Sequence, residues 1–314
     1  MLKIGSQTAG WYNVNDPDGS FAFIKSCGFD AVDFNIDGFI PVNDMAKKQE
    51  HGPYQSFFDK SVEELIAYFT PMKAAAEKHG ITFCQMHGPD KLWFPDRDEL
   101  NEYLIGVFEK CFAVAQFLSC PAVVVHPVQR PTKKEEWEVN MAAYKRLIPA
   151  AKQYGVKVCL ENLFVHRGMM PLEAPCADGA EACLYVDTLN EAAGEEVFGF
   201  CFDVGHANLL HKNLSHYIET LGHRLTCLHI HDNDGQNDLH MAPYTQTRYY
   251  KTCTCALDWE LFIQGLRRIN YRGSMCFETF RVTNLTPKPL WDSVLTHIIN
   301  IGKYFRDRIL AEEE

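Results

Sequence analysis

Short apolar runs, rich in β-branched, aromatic and cysteine residues, alternate along the chain with longer segments in which apolar residues repeat every three or four positions. The short runs are typical of buried strands, and the longer segments are typical of amphipathic helices. Eight runs predict eight strands: LKIGSQ (2–7), FDAVDFNI (29–36), ITFCQMH (81–87), AVVVHPV (122–128), VKVCLEN (156–162), FGFCFDV (198–204), TCLHIHD (226–232) and GSMCFET (273–279).

The helical segment after the second strand begins with a capping box, in which Ser61 is followed by Glu64, and it ends at Gly80. Helices are predicted over 61–80, 98–118, 135–155, 179–194, 214–225, 258–273 and 290–310. Strands that alternate with helices form a parallel sheet, and eight repeats favour closure. We therefore predict an α/β fold, a single (β/α)₈ TIM barrel, with one domain over residues 1–314 and no interdomain linker.

The amino-acid composition indicates which class of protein this chain is. The chain is 46% hydrophobic and 23% charged, as in globular proteins with a large core. It shows neither a secretory signal nor a run able to span a membrane, so we expect a cytoplasmic protein whose twelve cysteines are reduced. The net charge of −11 makes a nucleic-acid partner unlikely. No diagnostic interface pattern is present, which leaves a homo-oligomer open.

Chemistry in such barrels lies at the C-terminal ends of the strands. Six consecutive predicted strands end there in a group able to bind a metal: His87, His126, Glu161, Asp203 with His206 close behind, His229 and Glu278. One histidine at a strand end is usually a hydrogen-bonded cap. Six ligating groups in order on one rim predict a metal site instead.

Four cysteines accompany these ligands. Cys159, Cys201, Cys227 and Cys276 each lie two residues before a predicted ligand, so they share its face of the strand. We interpret them as small apolar filler beneath the metal, with a thiol ligand or nucleophile as the alternative. The C-x-C at 253–255 is a weaker candidate for a soft metal.

The segment LHIHDNDGQNDLH (228–240) contains three histidines and three aspartates. His229 and His231 share a face, and His229 is in phase with the cysteine pattern. We therefore predict His229 as the metal ligand and His231 as a substrate contact or as a residue that supports the ligands. Together with Glu161, Asp203 and Glu278 it gives a mostly oxygen site, which suits one Mn²⁺, Mg²⁺ or Co²⁺ ion and is compatible with Zn²⁺.

Two of these ligands have the chemistry of a proton-transfer pair. A metal with open positions would chelate adjacent oxygens of a sugar and acidify the neighbouring C–H. Glu161 and Glu278, three strands apart, would flank that carbon, one removing the proton and the other returning it. The predicted function is a divalent-metal-dependent sugar or sugar phosphate isomerase or epimerase, with a small carbohydrate as its substrate.

The motifs CLEN (159–162), FDVGHAN (202–208), LHIHDNDGQNDLH, LDW (257–259) and CFET (276–279) resemble those of the sugar phosphate isomerase/epimerase superfamily of xylose isomerase-like barrels, over nearly the whole chain. The resemblance implies that Glu161, Asp203, His229 and Glu278 hold one divalent metal. It also implies that the two glutamates transfer the proton, as in ketose epimerases of this group, and that His206 contacts substrate oxygens.

The chain is also similar to endonuclease IV, which shares the barrel and uses three zinc ions. The additional ligands of that enzyme correspond here to His87, His126, His206, Asp238 and His240. A multi-zinc phosphodiesterase is therefore the main alternative function, although the net negative charge of the chain argues against it. A polyol dehydratase and a non-catalytic sugar-binding barrel also stay open.

Substrate contacts are expected from seven residues: His87, His126, His206, His231, Asp238, His240 and Arg281. Arg281 follows the eighth strand, where phosphate sites of barrels often form. Arg248 or Lys251, in the loop before LDW, would meet a phosphate or carboxylate.

Other residues near the predicted mouth would shape the site. Trp11, Trp93 and Phe94 are expected to form an apolar wall against a sugar face. HRGMMPLEAPCADG (166–179) is expected to act as a lid.

Overall fold

Eight parallel strands form the wall of a barrel in a computed structural model that describes residues 2–48, 52–246 and 256–311. These strands are β1 (Ile4–Gln7), β2 (Ala31–Asn35), β3 (Thr82–His87), β4 (Ala122–Val124), β5 (Lys157–Glu161), β8 (Phe198–Asp203), β9 (Leu225–His229) and β10 (Met275–Phe277). Between β5 and β8, β6 (Phe164–Arg167) and β7 (Met170–Glu173) form an antiparallel hairpin outside the wall.

The strand order is β10-β1-β2-β3-β4-β5-β8-β9, and every neighbouring pair is parallel. The two end strands meet where the amide of Ile230 donates to the carbonyl of Cys276 (2.9 Å) and the amide of Glu278 donates to the carbonyl of Ile230 (3.1 Å). The sheet thus closes on itself, and the predicted (β/α)₈ barrel is confirmed.

Helices surround this wall in the described part of the chain: α1 (Pro17–Cys27), α2 (Val42–Lys48), α3 (Val62–His79), α4 (Asp98–Phe117), α5 (Lys133–Tyr154), α6 (Gly179–Ala193), α7 (Val204–Leu209), α8 (Leu214–Leu221), α9 (Trp259–Arg268), α10 (Phe280–Leu285) and α11 (Trp291–Leu310). The capping box at Ser61 forms as predicted, and Gly80 ends α3 in the left-handed conformation. None of the helices within the described ranges combines the length and apolarity needed to cross a bilayer.

α1 was not predicted from the sequence, although its boundary residues are typical of a helix. The Asp16 carboxylate accepts from the amide of Gly19, Pro17 occupies the first turn, and Gly28 ends the helix at φ 108°. The helix predicted over 258–273 ends early, at Arg268, because Asn270 adopts a left-handed conformation (φ 53°).

Small side chains fill the barrel beneath its C-terminal mouth. Ala122, Val124, Cys159, Cys201 and Cys227 form one buried cluster inside the wall. Three of the four predicted filler cysteines therefore lie where the strand alternation places them. This apolar floor leaves the ligating side chains one layer higher, at the mouth.

Candidate metal centre

The four predicted metal ligands converge at the mouth of the barrel. Glu161 ends β5, Asp203 ends β8, His229 ends β9, and Glu278 directly follows β10; all four are buried. Nδ1 of His229 lies 3.3 Å from Oε1 of Glu161, 3.5 Å from Oε2 of Glu278 and 4.0 Å from Oδ2 of Asp203. We call these four residues the central cluster.

Two buried atoms of the central cluster show that it fits a cation. Nδ1 of His229 and Oε2 of Glu161 have no hydrogen-bond partner. Buried polar atoms normally have one, so each is expected to have a partner other than a protein group. Three carboxylates converging on one imidazole nitrogen form a donor set for a divalent metal ion.

Two buried side chains from strands without metal ligands hold the central cluster in place. Nε2 of Gln7, at the end of β1, donates to Oε1 of Glu278 at 2.5 Å. Nε2 of His229 donates to Oδ2 of Asp33, in the middle of β2, at 3.1 Å. Neither Gln7 nor Asp33 was predicted as a site residue. The available signal was a polar side chain inside an apolar strand, where an unpartnered group is costly.

A first flanking cluster lies on the side of β3 and β4. His87, His126 and Glu161 place ligating atoms within 4.8 Å of one another. Nε2 of His126 lies 3.3 Å from Oε2 of Glu161, while its Nδ1 lies 3.1 Å from the carbonyl of Asp90. Nδ1 of His87 donates to the carbonyl of Gly88 at 2.8 Å, which leaves Nε2 free for a ligand.

A second flanking cluster joins β8 to the segment after β9. Asp203, His206 and His231 again lie within 4.8 Å, and Nε2 of His231 donates to Oδ2 of Asp203 at 3.1 Å. Asp238 faces the ring nitrogens of His206 (3.7 Å) and His240 (2.8 Å). Thus every predicted histidine of the rim lies in or beside one of three adjoining groups.

The carboxylates and imidazoles shift each other's pKa values. Burial favours the neutral acid, yet His229 and His126 hold the pKa of Glu161 well below its usual value. Burial also opposes the charged imidazole, but Glu161 and Asp90 raise the pKa of His126 to about 10. In the same way, Asp203 raises the pKa of His231 to about 9 against burial. The negative charge of the site thus attracts protons when no other cation is present.

The buried cysteines are uncharged neighbours of this site. Burial raises the pKa of the Cys201 thiol well above its usual value, and the same holds for Cys276. Cys201 nevertheless lies within 4.8 Å of the ligating atoms of Glu161 and His229. These observations fit the filler interpretation, and a role as an additional ligand stays a hypothesis.

A cavity of about 300 Å³ opens beside the first flanking cluster. Its lining includes His126, Trp93 and Phe94, as well as Leu163 and Phe164 from the start of the β6–β7 hairpin. Trp11 instead is buried, and its indole N–H donates to the carbonyl of Gln7 at 2.6 Å. Of the three predicted aromatic residues, Trp93 and Phe94 line this cavity.

The predicted lid, Arg281 and the loop before LDW are the remaining features expected near the barrel mouth. The predicted lid over 166–179 contains most of the β6–β7 hairpin, whose His166 Nε2 contacts the carbonyl of Gln236 at 3.0 Å. Arg281 lies on α10 and is exposed, with its guanidinium 5.8 Å from the ring of Phe280. Arg248, Lys251 and the C-x-C at 253–255 lie outside the described residues.

The chain is similar to known proteins in both sequence and fold. A sequence profile described as a xylose isomerase-like TIM barrel matches residues 21–301. Two curated relatives are themselves uncharacterized: y4fM of Sinorhizobium fredii, 35% identical over 81 residues (26% of this chain, 23% of the relative), and MJ1311 of Methanocaldococcus jannaschii, 30% identical over 150 residues (45% of each). These matches span less than half the length of either relative.

Solved structures share the whole barrel at low identity. A D-tagatose 3-epimerase-like protein has a TM-score of 0.64 at 18% identity, with 98% of both chains covered. D-psicose 3-epimerase of Clostridium cellulolyticum H10, solved with D-tagatose, has a TM-score of 0.67 at 16% identity, covering 97% of this chain and 99% of that one. The IolI protein, solved with a bound zinc atom, has a TM-score of 0.64 at 17% identity, with 98% of both chains covered. The profile match spans most of the sequence, and the protein therefore belongs to the xylose isomerase-like TIM barrel family.

Proposed function

We propose that the protein is a divalent-metal-dependent isomerase or epimerase of a sugar or sugar phosphate. The observation that carries the proposal is that Glu161 and Glu278 both face Nδ1 of His229. Their carboxylate oxygens lie 3.3 Å and 3.5 Å from the same ring nitrogen. Two carboxylates arranged around one candidate metal position suit transfer of a proton from and to a carbon next to a carbonyl.

The protein groups have separate tasks in this mechanism. A divalent ion held by the central cluster would polarise the sugar carbonyl and acidify the adjacent C–H. Glu161 accepts the proton through a carboxylate oxygen that is not bound to the ion. Glu278 returns a proton from the other side, and Gln7 holds its second oxygen in place. The assignment of the two directions depends on the stereochemistry of the substrate.

The remaining rim residues would bind the substrate. His87, His126, His206, His231, Asp238 and His240 surround the central cluster and offer polar atoms to sugar hydroxyls. Trp93, Phe94 and Phe164 would pack against the apolar face of the sugar in the neighbouring cavity. Arg281, exposed on α10, would meet a phosphate if the substrate carries one.

The solved structures support this substrate class. They include a D-tagatose 3-epimerase-like protein and a D-psicose 3-epimerase that was solved with D-tagatose. The IolI structure with zinc supports metal binding in this fold. Mn²⁺, Mg²⁺ or Co²⁺ suits the oxygen-rich central cluster best, and Zn²⁺ is compatible with it.

The proposal is tested with a panel of ketopentoses, ketohexoses and their phosphates in D₂O. Protein loaded with Mn²⁺ is incubated with each sugar and the ion is then removed, so that proton NMR can follow the C–H next to the carbonyl. We expect deuterium to enter this position in at least one sugar and an isomer to appear. Protein treated with a chelator serves as the control. Absence of exchange across the panel in protein that holds its metal would contradict the proposal.

A multi-metal phosphodiesterase is the second candidate, favoured by the two flanking clusters. Each brings three ligating atoms within 4.8 Å, so three ions could be held side by side. Elemental analysis of Zn²⁺-loaded protein distinguishes the two functions. One ion per chain fits the isomerase, whereas three ions, together with cleavage of phosphodiester bonds in a DNA oligonucleotide, would replace it with the phosphodiesterase.

A further inference from the structure

Asp33 is a carboxylate enclosed completely within the barrel. It lies on β2, and its side chain has no exposed surface. Oδ2 accepts from Nε2 of His229 at 3.1 Å and from Nε2 of Gln85 at 3.0 Å. Gln85 also donates to the carbonyl of Leu228, the residue before His229, at 3.2 Å. One glutamine therefore ties Asp33 to the strand that carries the central histidine.

The contact determines which ring nitrogen faces the carboxylates. A neutral imidazole has one N–H and one lone pair, and a carboxylate accepts only from the N–H. With Nε2–H bound to Asp33, the lone pair lies on Nδ1. This is the atom that faces Glu161 and Glu278, and it has no hydrogen-bond partner.

The partner of His229 differs from those of His87 and His206. His87 and His206 each have a ring nitrogen within 2.8 Å of a backbone carbonyl, that of Gly88 or Asn162. His229 is bound instead by a carboxylate. A charged acceptor forms a stronger bond and makes the opposite nitrogen a better electron donor.

We propose that Asp33, held by Gln85, is a positioning residue that fixes His229 in its Nε2–H tautomer and presents Nδ1 as the nitrogen ligand of the central cluster. This proposal rests on the metal centre of the proposed function, but it does not depend on the identity of the sugar. It gives a role to β2, which carries none of the four central ligands.

The first test measures Mn²⁺ affinity by electron paramagnetic resonance of the free ion. Asp33→Asn and Asp33→Ala are each expected to raise the Kd by about 10- to 100-fold. Gln85→Met is expected to raise it in the same direction by a smaller factor. The matched control is Asn190→Ala, which removes two side-chain bonds to Phe198 at the other end of β8. It should lower the melting temperature and leave the Kd unchanged.

The outcomes separate positioning from simple stabilisation. If Asp33 only stabilised the barrel, its variants would behave like Asn190→Ala, with a lower melting temperature of the metal-free protein and an unchanged Kd. That result would overturn the proposal. If the wild type itself binds no Mn²⁺, the proposed function fails instead.

A second test needs no folded variant of Asp33. The ¹⁵N spectrum of histidine-labelled wild-type protein loaded with Zn²⁺ reports which nitrogen of His229 carries the proton. The resonance is assigned by its loss in His229→Asn. We expect a protonated Nε2 and a metal-bound Nδ1. The opposite arrangement would overturn the proposal even if every Asp33 variant failed to fold.

Discussion

The ring of His231 lies directly against the backbone of Gly205, so that a Cβ on Gly205 would lie only 1.9 Å from Cε1 of His231. Gly205 belongs to the FDVGHAN motif and lies at the start of α7. The ring of His231, which packs against this glycine, donates a hydrogen bond to Asp203. The glycine therefore provides the space in which the second flanking cluster is built.

Gly205→Ala is expected to displace His231 and disturb Asp203. Overpacking at a buried site costs about 1–3 kcal/mol, so the free energy of unfolding should fall by that amount. Metal affinity should fall as well. Thermal unfolding and metal titration measure the two effects.

Gly106→Ala provides the control, because a Cβ on Gly106 in α4 would meet nothing within 4 Å. This exchange should be neutral or stabilise the helix by roughly 0.5–1 kcal/mol. The double variant Gly205→Ala/His231→Ala should recover part of the lost stability. Equal behaviour of the Gly205 and Gly106 variants would contradict the packing account.

Gln7 is expected to matter for turnover more than for folding. Gln7→Leu would leave Oε1 of Glu278 without the donor that holds it at 2.5 Å. Loss of such a partner typically lowers activity or metal affinity by about 10- to 100-fold. Steady-state kinetics on the sugar found in the panel measure the effect, with exposed Gln116→Leu as the control. Wild-type kcat in Gln7→Leu would refute a role for this contact.

Stability should depend on pH in opposite ways with and without metal. The pKa values of His126 and His231, about 10 and 9, lie above their ordinary value of 6.5. Protonation of these imidazoles therefore stabilises the metal-free fold fully below pH 6.5, and this contribution is lost as the pH rises towards 10. Metal binding needs unprotonated histidines, so the affinity for the metal should rise as the pH rises from 6.5 to 10.

Melting temperatures recorded between pH 6.5 and 10, with chelator or with saturating Mn²⁺, test this prediction. The melting temperature of the metal-free protein should decline, and the increment produced by the metal should grow. His126→Gln should flatten the decline. A metal-free protein whose melting temperature is constant over this range would show that its histidines are not protonated.

Phe164 is expected to contribute to sugar binding and not to metal binding. Its ring lines the cavity beside His126 and packs 5.0 Å from the ring of His206. Phe164→Ala should raise KM and leave the Kd for Mn²⁺ close to the wild-type value. Leu184→Ala, on the exposed face of α6, is the control. Reduced metal affinity with unchanged KM would assign Phe164 to the metal centre instead.

The central cluster was predictable because its members have ligating side chains at a repeated structural position. Glu161, Asp203, His229 and Glu278 each follow an apolar run, and alternation along the strands places them on the inner face. The choice of His229 over His231 as the metal ligand stays a prediction, and their surroundings differ. His229 lies within 3.5 Å of both glutamates, whereas His231 contacts Asp203 and stacks on His240.

The supporting residues were not predictable in the same way. Gln7 contacts Glu278 and Asp33 contacts His229 across 271 and 196 positions of sequence, and both contacts exist only once the barrel closes. Within the strands, a buried Asp or Gln signals only that some partner exists. Most of the β6–β7 hairpin lies in the segment predicted as a lid (166–179), and its two strands were not among the eight strands predicted from the sequence.

The most direct measurement of the central claim is deuterium exchange by Glu161→Gln and Glu278→Gln, each offered both isomers of the sugar that the wild type converts. Glutamine retains a ligating oxygen but cannot accept the proton, so net conversion should fall by about 10²- to 10⁴-fold in both variants. Each variant should still exchange the C–H of the one isomer whose proton faces the remaining glutamate. Equal loss of exchange from both isomers, in variants that keep their metal, would contradict a mechanism in which the two glutamates act on opposite faces of one carbon.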